Sequence, residues 1–512
     1  MAVDDAIPGD DSRHRSHPRR KRSPLSVPRR AIRPLLLLVA LVNLAWSLYQ
    51  LPVSRVIESR LCRDHYEAHD PSAMLPDGSV PEELCKVDDV QQRLGRIQGV
   101  METLWVAGDF FMTIPLVSLA DHYGHRFVLC LNLIPRVFLL AWTFVVGYFN
   151  RALPVDAILV APALSFLGGD CVFNSIVYAL VAELTDDHVL RATFFGYVNA
   201  ISSIFSLQLG PALASATMSA LLWLPFGLGI AVLLLAVPVI SALAPSTTHR
   251  KPASEDGEDA DDAPLLSSSA GHGPSHANLK STTASRFRTM LALLTNPSRN
   301  FVLLLTCFFL ASLASSDTKL LTLYVSKRYS WKFSSVGYLL SAKAVFNFFL
   351  LSVIIPRVLR WRQSRARLSD PSRPHDTPEM AADRDTITHA HVCLVFSVLG
   401  AAAIALSPSI WALVPSLLLY ALGIALPMFT YSLLKSPSMA LHRDGEASRP
   451  GTHLFSVVML VRTVGTLLGA MLMPTLWVAG LNLGGMALGI PYWASAVCYA
   501  VAGFLIKRIR IG

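Results

Sequence analysis

Twelve stretches of this chain are long and apolar enough to be helices that cross a lipid bilayer. Hydrophobic residues make up 53% of the sequence and charged residues only 15%, whereas soluble domains carry about 25% charged residues. A helix needs about 20 mostly apolar residues to cross a hydrocarbon core of about 30 Å. The sequence therefore predicts an all-α membrane protein. We place the twelve spans at 34–53, 99–119, 127–149, 157–184, 192–212, 221–243, 301–324, 336–355, 391–406, 410–434, 454–477 and 486–506.

The spans fall into two groups of six, separated by a long polar segment. We predict an N-terminal bundle at 34–244, interrupted by an extracytoplasmic polar loop at 54–98, and a C-terminal bundle at 300–506. The tail 1–33 is rich in arginine, and the linker 245–299 is rich in acidic, serine and glycine residues, so we expect both to be disordered and cytoplasmic. A short basic tail, 507–512, ends the chain.

The distribution of charge gives the predicted orientation. An even number of spans places both tails, the central linker and the basic segment between spans eight and nine on one side, and cytoplasmic loops are enriched in lysine and arginine. The loop 54–98 carries more acids than bases and falls on the opposite side. The net charge of +9 is therefore explained by basic segments beside the bilayer. Because no nucleic-acid-binding motif accompanies them, we expect a lipid bilayer and no nucleic acid as partner.

The cysteines predict no metal site. Cys62 and Cys85 share the loop 54–98, and a disulfide between them is expected if that loop is extracytoplasmic. No cysteine–histidine cluster has zinc-ligand spacing, so neither a metal nor another cofactor is predicted. The phosphate-binding loop of ATP-driven proteins is also absent from the sequence.

The link between spans two and three carries the most specific motif. It places Ser118, Asp121, Gly124 and Arg126 in the order Ser-Leu-Ala-Asp-His-Tyr-Gly-His-Arg. Gly124 permits a tight turn, and Asp121 and Arg126 can form charge-assisted hydrogen bonds between helix ends. The segment resembles the major facilitator signature, Gly-x-Leu-Ala-Asp-Arg-x-Gly-Arg-Arg/Lys. That resemblance implies a twelve-helix secondary transporter in which these residues form a conformational latch.

Further features resemble particular branches of that family. Gly168-Gly169, the cysteine-bearing first loop and the acidic linker are similar to fungal members associated with secondary-metabolite gene clusters. Gly210-Pro211 resembles a motif of drug/proton antiporters, but span four has Ser165 and lacks the arginine that those proteins carry. The resemblance implies proton-coupled efflux of a secondary metabolite or toxin, without enzymatic activity. Nutrient uptake and a non-transporting receptor or sensor on the same fold are the alternatives.

Ionisable residues within the first six spans are candidate functional groups. Each costs about 2.5–3.5 kcal/mol at mid-bilayer and therefore needs a partner or a water-lined path. Asp109 is the preferred proton-coupling residue, with a structural hydrogen bond as the alternative; Glu102 is either functional or solvated at the end of its span. Asp170 and Asn174 form a polar stripe that either lines a cavity or holds helices together. Arg136 is expected to pair with Asp170 or Asp109, as a structural pair or an anion site.

The last six spans hold fewer ionisable residues. Asp317 and Lys319 point to different faces of span seven and are expected near its outer end. Lys343 in span eight is a candidate to neutralise Asp317. Arg462 in span eleven either extends to the membrane surface, has another structural role, or binds an anionic substrate.

The sequence also suggests a location. The plasma membrane is the expected site, and a monomer is the expected state. The linker segment ending in Leu265-Leu266 resembles an acidic dileucine sorting signal, which leaves the vacuolar or endosomal membrane open.

Overall fold

The computed structural model describes residues 27–76, 78–149, 152–183, 188–243, 299–350, 353, 357, 378–434 and 451–509. Residues 1–26 of the predicted tail 1–33, most of the linker 245–299 with its dileucine segment, and residues 510–512 of the predicted tail 507–512 lie outside these residues. Most of the basic segment between spans eight and nine also lies outside them. The first half contains six spans: α1 Val27–His69, α2 Asp88–Tyr123, α3 His125–Tyr148, α4 Val155–Leu167 continued by Asp170–Glu183, α5 His188–Ser203 continued by Ile204–Leu209 and Gly210–Ala220, and α6 Leu224–Ala242.

The second half repeats this order. Its six spans are α7 Arg299–Ser315 continued by Asp317–Arg328, α8 Phe333–Phe349, α9 Pro378–Leu406, α10 Ile410–Ala421 continued by Leu422–Ala425 and Leu426–Leu434, α11 Gly451–Leu483, and α12 Gly485–Gly489 continued by Ile490–Lys507.

The predicted fold class, an all-α membrane protein of twelve helices, is confirmed. Eight helical segments within the described residues are each long and apolar enough to cross a membrane, and Ile410–Ala421 is a shorter apolar helix. Several of the others are interrupted by polar residues or by a change of helix type. In a bilayer only helices and closed barrels satisfy all backbone hydrogen bonds, which is why such apolar runs fold this way.

Two pairs of helices make most of the contact between the halves. Within the first half α1 packs on α6, and within the second half α9 packs on α12 while α11 and α12 both pack on α7. Across the halves α2 packs on α11 and α5 on α8. Glycines allow the first of these approaches: a Cβ on Gly95 or Gly99 would lie only 2.6 Å from Trp477 or Pro474, respectively.

The predicted loop 54–98 is wrong in extent. Helix α1 continues to His69, and α2 begins at Asp88. Some of the polar residues that suggested a loop are instead buried in the protein: Glu58 and Gln91 are 0% exposed. A charged residue is compatible with a helix here because its neighbours supply the hydrogen bonds that water would otherwise supply. We call the end of the bundle where α1 ends and α2 begins the loop face, and the opposite end the terminus face.

Candidate functional site

A cavity of about 530 Å3 lies between the two halves. Its apolar wall includes Trp46 and Trp105, whose rings stack with centroids 4.9 Å apart. Glu102, Lys319 and Lys343 are the ionisable carboxylate and amines that line it. A mostly apolar cavity with a few charged groups is typical of small-molecule sites.

An ion pair crosses this central cavity. Glu102 of α2 accepts a hydrogen bond from the Lys319 ammonium of α7, so the pair joins the two halves. Glu102 therefore has a partner in the other half, although its side chain is 27% exposed, and its functional role stays a prediction. Lys319 also lines the cavity.

Helix α4 is broken beside Asp109. Gly168 adopts φ +149° between the two helical segments. The Asp109 carboxylate accepts hydrogen bonds from the backbone N–H of Cys171 (2.8 Å) and of Val172 (3.4 Å). A side chain at Gly169 would overlap this carboxyl group. Asp109 thus makes the interhelical hydrogen bond that was its structural alternative, and a negative charge is favourable at this helix start.

Arg136 completes the polar centre of the first half. Its guanidinium donates to Asp170 Oδ1 (2.7 Å) and to Asn132 Oδ1 (3.1 Å), and it lies 5.5 Å from the centroid of the Trp46 ring. Of the two predicted partners, the ion pair is with Asp170. Asn174, one turn further along α4, is exposed. Neither it nor Asp170 is among the residues that line the cavities described here.

A second polar centre is buried in the C-terminal half. Asp317 is 0% exposed and lies where the helix of α7 is interrupted at Ser316. Its expected depth near the outer end of the span stays a prediction. The Tyr420 hydroxyl donates to both carboxylate oxygens (3.0 and 3.1 Å) and lies 3.2 Å from the Tyr499 hydroxyl. These two tyrosines lie within apolar spans and were not predicted as site residues. Buried tyrosine hydroxyls usually find a hydrogen-bond partner, and this tendency is the sequence signal that could have identified them.

A side cavity of about 190 Å3 lies within the C-terminal half. Lys343 and Arg462 line it, and Lys343 also lines the central cavity. The Lys343 ammonium lies 5.8 Å from the centroid of the Tyr420 ring. The Arg462 guanidinium donates to the Tyr431 hydroxyl and, over 3.4 Å, to Ser312 Oγ. Arg462 therefore points into the bundle and does not extend to the membrane surface.

Charged side chains close the loop face. Lys86 is buried and donates to Glu58 Oε1 (2.7 Å) in the first half and to Ser326 Oγ (2.6 Å) in the second. Its ammonium also lies 4.4 Å from the centroid of the Phe333 ring. Glu82 accepts a hydrogen bond from the Phe333 N–H (2.8 Å). We call Glu58, Glu82, Lys86, Ser326 and Phe333 the loop-face lock.

Further contacts between the halves surround the loop-face lock. Lys327 pairs with Asp88 (2.7 Å), and Gln92 donates to Asn482 (2.7 Å). A disulfide joins Cys62 to Cys85, so it ties the residue before Lys86 to the end of α1. Both of these cysteines are 0% exposed.

The signature motif lies at the terminus face. Gly124 separates α2 from α3 with φ +89°, a conformation that favours glycine, and Arg126 lies in the first turn of α3. The side chains of Ser118 and Asp121 lie outside the described part of the structure. The predicted latch hydrogen bonds therefore stay a prediction.

The Gly-Pro motif follows an irregular turn of α5. The segment Ile204–Leu209 is a π-helix, and Gly210 and Pro211 begin the α-helix that follows it. A side chain at Gly210 would overlap Ser47 of α1, and Pro211 lines the central cavity. The motif therefore allows α5 to approach α1 beside the candidate site.

Two six-helix halves around a central, mostly apolar cavity with a few charged groups form the architecture of a secondary transporter. The sequence matches the Major Facilitator Superfamily over residues 89–470, and the chain belongs to this family. The family and the fold are those of transporters in a membrane.

The relatives agree with this assignment. The chain is 27% identical to the MFS efflux pump atnC of Emericella nidulans, over 94% of this chain and 89% of that protein. It is 25% identical to the efflux pump ustT of Aspergillus flavus, over 92% and 86%. The human organic anion transporter MFSD10 shares the fold with a TM-score of 0.56 at 16% identity, over 94% of this chain and 100% of the other. The expected resemblance to fungal members is confirmed.

Proposed function

We propose that this protein exports a small organic molecule, a secondary metabolite or toxin, and that a proton gradient drives the export. The observation that carries this proposal is the central cavity, which is lined by both halves and crossed by the Glu102–Lys319 pair. A solute in that position contacts both halves, so its binding can bias their relative movement. The efflux pumps named among the relatives support the outward direction.

Transport proceeds by alternating access in this proposal. The loop-face lock holds the halves together at the loop face, and access to the cavity is from the terminus face. Opening the loop face requires Lys86 to leave Ser326 and Phe333, and Glu82 to leave the Phe333 N–H. Lys327 must also leave Asp88, and Gln92 must leave Asn482. These are a few hydrogen bonds, one ion pair and one cation–π contact, which suits a conformational equilibrium of a few kcal/mol.

The loop face is extracytoplasmic in this proposal. The Cys62–Cys85 disulfide supports that orientation, since disulfides persist in oxidising compartments. The plasma membrane is the proposed location, and the protein acts as a monomer because each chain contains both halves of the cavity.

Proton coupling runs through Asp109. The ionised Asp109 carboxylate accepts hydrogen bonds from backbone N–H groups at the start of the second α4 segment. Protonation removes part of the capacity of this carboxyl group to accept hydrogen bonds. Protonation therefore loosens the link between α2 and α4, next to the Arg136–Asp170 pair. Those helices carry or adjoin the wall of the central cavity, so the proton and the solute act on the same part of the first half.

The test is flux in proteoliposomes under an imposed pH gradient, with a panel of small organic acids, amines and neutral compounds. Gradient-driven flux that Asp109→Asn uncouples, but Asp317→Asn does not, supports the proposal. Asp317 is the matched comparison because it is the buried carboxylate of the other half. Flux that ignores the gradient would reject proton coupling, and uncoupling only by Asp317→Asn would move the coupling site to the C-terminal half.

A further inference from the structure

We propose that the side cavity of the C-terminal half is a carboxylate-binding subsite, formed by Lys343 and Arg462. The substrate is then an amphipathic organic anion, whose acid group lies in the side cavity and whose apolar body lies in the central cavity. This inference rests on the proposed transport function and specifies the class of solute.

The side cavity is positively charged. Lys343 and Arg462 line it, and among the described residues no carboxylate lines it. Within the described residues Lys343 makes no ion pair and no hydrogen bond; its one contact of this kind is with the Tyr420 ring. Cations in a membrane interior cost free energy unless a counter-charge is supplied. A bound anion supplies it.

The hydrogen-bonding capacity of Arg462 points the same way. A guanidinium has five N–H donors that match a carboxylate in a two-pronged geometry. The described acceptors of Arg462 are the Tyr431 hydroxyl and Ser312 Oγ, the latter at 3.4 Å. Both are neutral, so donors and the full positive charge remain available toward the cavity.

Asp317 does not fill this role. It interacts electrostatically with Lys343. However, Asp317 is completely buried, and both of its oxygens accept from the Tyr420 hydroxyl. Tyr420 lines the side cavity and Asp317 does not, and no hydrogen bond among the described residues joins Asp317 to the Lys343 ammonium, which keeps its donors for a ligand.

The junction of the two cavities determines the shape of the ligand. Thr318, Lys343 and Asn347 line both cavities. The Asn347 side-chain oxygen is buried without a hydrogen-bond partner among the described residues. A carboxamide can also be turned over to present its NH2 group at that position. A ligand that crosses the junction would satisfy this amide and extend its apolar part toward Trp46 and Trp105.

The experiment compares two ligands of similar shape at pH 7.5: the charged acid 2-naphthoate and the uncharged amide 2-naphthamide. Binding to the purified full chain in nanodiscs is measured by isothermal titration calorimetry. We expect wild type to bind the acid at least tenfold more tightly than the amide, which corresponds to about 1.4 kcal/mol. Arg462→Gln and Lys343→Gln should each weaken acid binding at least tenfold and weaken amide binding much less. Retained amide binding also reports that each variant is folded.

Arg93→Gln is the control for loss of one positive charge. Arg93 pairs with Asp156, both side chains are about half exposed, and neither residue lines the central cavity or the side cavity. This variant should keep the wild-type preference. Equal binding of acid and amide by wild type, no acid binding, or equal loss of both ligands in the two cavity variants would overturn the inference. Gradient-driven flux without a preference for acids would overturn the inference of a carboxylate subsite and leave the transport proposal standing. A preference for acids in binding, without flux of any compound, would reject the transport proposal alone.

Discussion

Lys86→Met tests whether the loop-face lock controls the conformation of the protein. The methionine keeps most of the side-chain length but removes the ammonium. Wild-type Lys86 touches both halves: Glu58 on one side, and Ser326 and Phe333 on the other. Only the contacts with the second half are lost when the loop face opens, so only these bias the conformational equilibrium.

The magnitude follows from those two contacts. A hydrogen bond from a charged donor contributes about 1.5–3 kcal/mol, and a cation–π contact about 0.5–2 kcal/mol. Their removal should favour the open loop face by at least about 2 kcal/mol, or about 30-fold. The substitution also leaves Glu58 buried without its lysine, although Arg55 still lies 3.0 Å from it. The double variant Lys86→Met/Glu58→Gln removes that unpaired charge and should recover stability without recovering closure.

Spin labels can measure the opening directly. Asp89 on α2 and Leu483 on α11 are exposed at the loop face, 79% and 72% respectively, and suit labelling after the five free cysteines are replaced. Electron–electron distance measurements should show a longer-distance population in Lys86→Met that wild type lacks.

Lys332→Met is the matched control. Lys332 also pairs across the halves, with Glu83 at 3.8 Å, but both side chains are exposed. Exposed pairs contribute about 0–1 kcal/mol, so its distance distribution should resemble that of wild type. An unchanged distribution in folded Lys86→Met, or an equal shift in both variants, would refute the reasoning.

Two further substitutions test the packing around the candidate site, each followed by thermal unfolding in detergent. Gly99→Ala should lower the free energy of unfolding by about 1–3 kcal/mol because its Cβ would lie 2.6 Å from the facing proline of α11. The control Gly227→Ala has no neighbour within 4 Å and should not destabilise the protein. Equal melting temperatures of the two variants would contradict the close approach of the halves. Tyr420→Phe should lower the free energy of unfolding by about 1–3 kcal/mol because Asp317 loses its phenolic donor. The control Tyr338→Phe removes an exposed hydroxyl and should leave the stability unchanged. Unchanged stability of Tyr420→Phe would contradict a stabilising role for that hydrogen bond.

The spans were predictable because each apolar run must satisfy its backbone within one helix. The continuation of α1 to His69 was not, because Glu58 reads as a solvated residue until tertiary contacts bury it. Its partner Lys86 comes from the other side of the disulfide, and Ser326 comes from the other half. A hydropathy pattern contains no information on such pairings.

The candidate site was predictable in part. The position of charged residues within apolar spans identified candidate residues, because an ionisable group in a bilayer needs a partner or a water-lined path. These candidates include Glu102, Asp109, Arg136, Lys343 and Arg462. Partners were harder to predict than the charges themselves, since a partner is fixed by which helices meet. The neutral partners of the C-terminal half were missed for a second reason: tyrosines within apolar runs look like packing residues until a hydroxyl is found beside a buried carboxylate.

A reversible cross-link at the loop face tests alternating access most directly. Gln92 Nε2 and Asn482 Oδ1 lie 2.7 Å apart across the halves, and cysteines at both positions can be joined by a short bis-methanethiosulfonate reagent that spans the gap left by the longer side chains. Solute flux in proteoliposomes should stop on cross-linking and return on mild reduction, which spares the buried Cys62–Cys85 bond. Gln92→Cys alone should keep its flux throughout. Undiminished flux through the fully cross-linked protein would contradict transport by opening of this face.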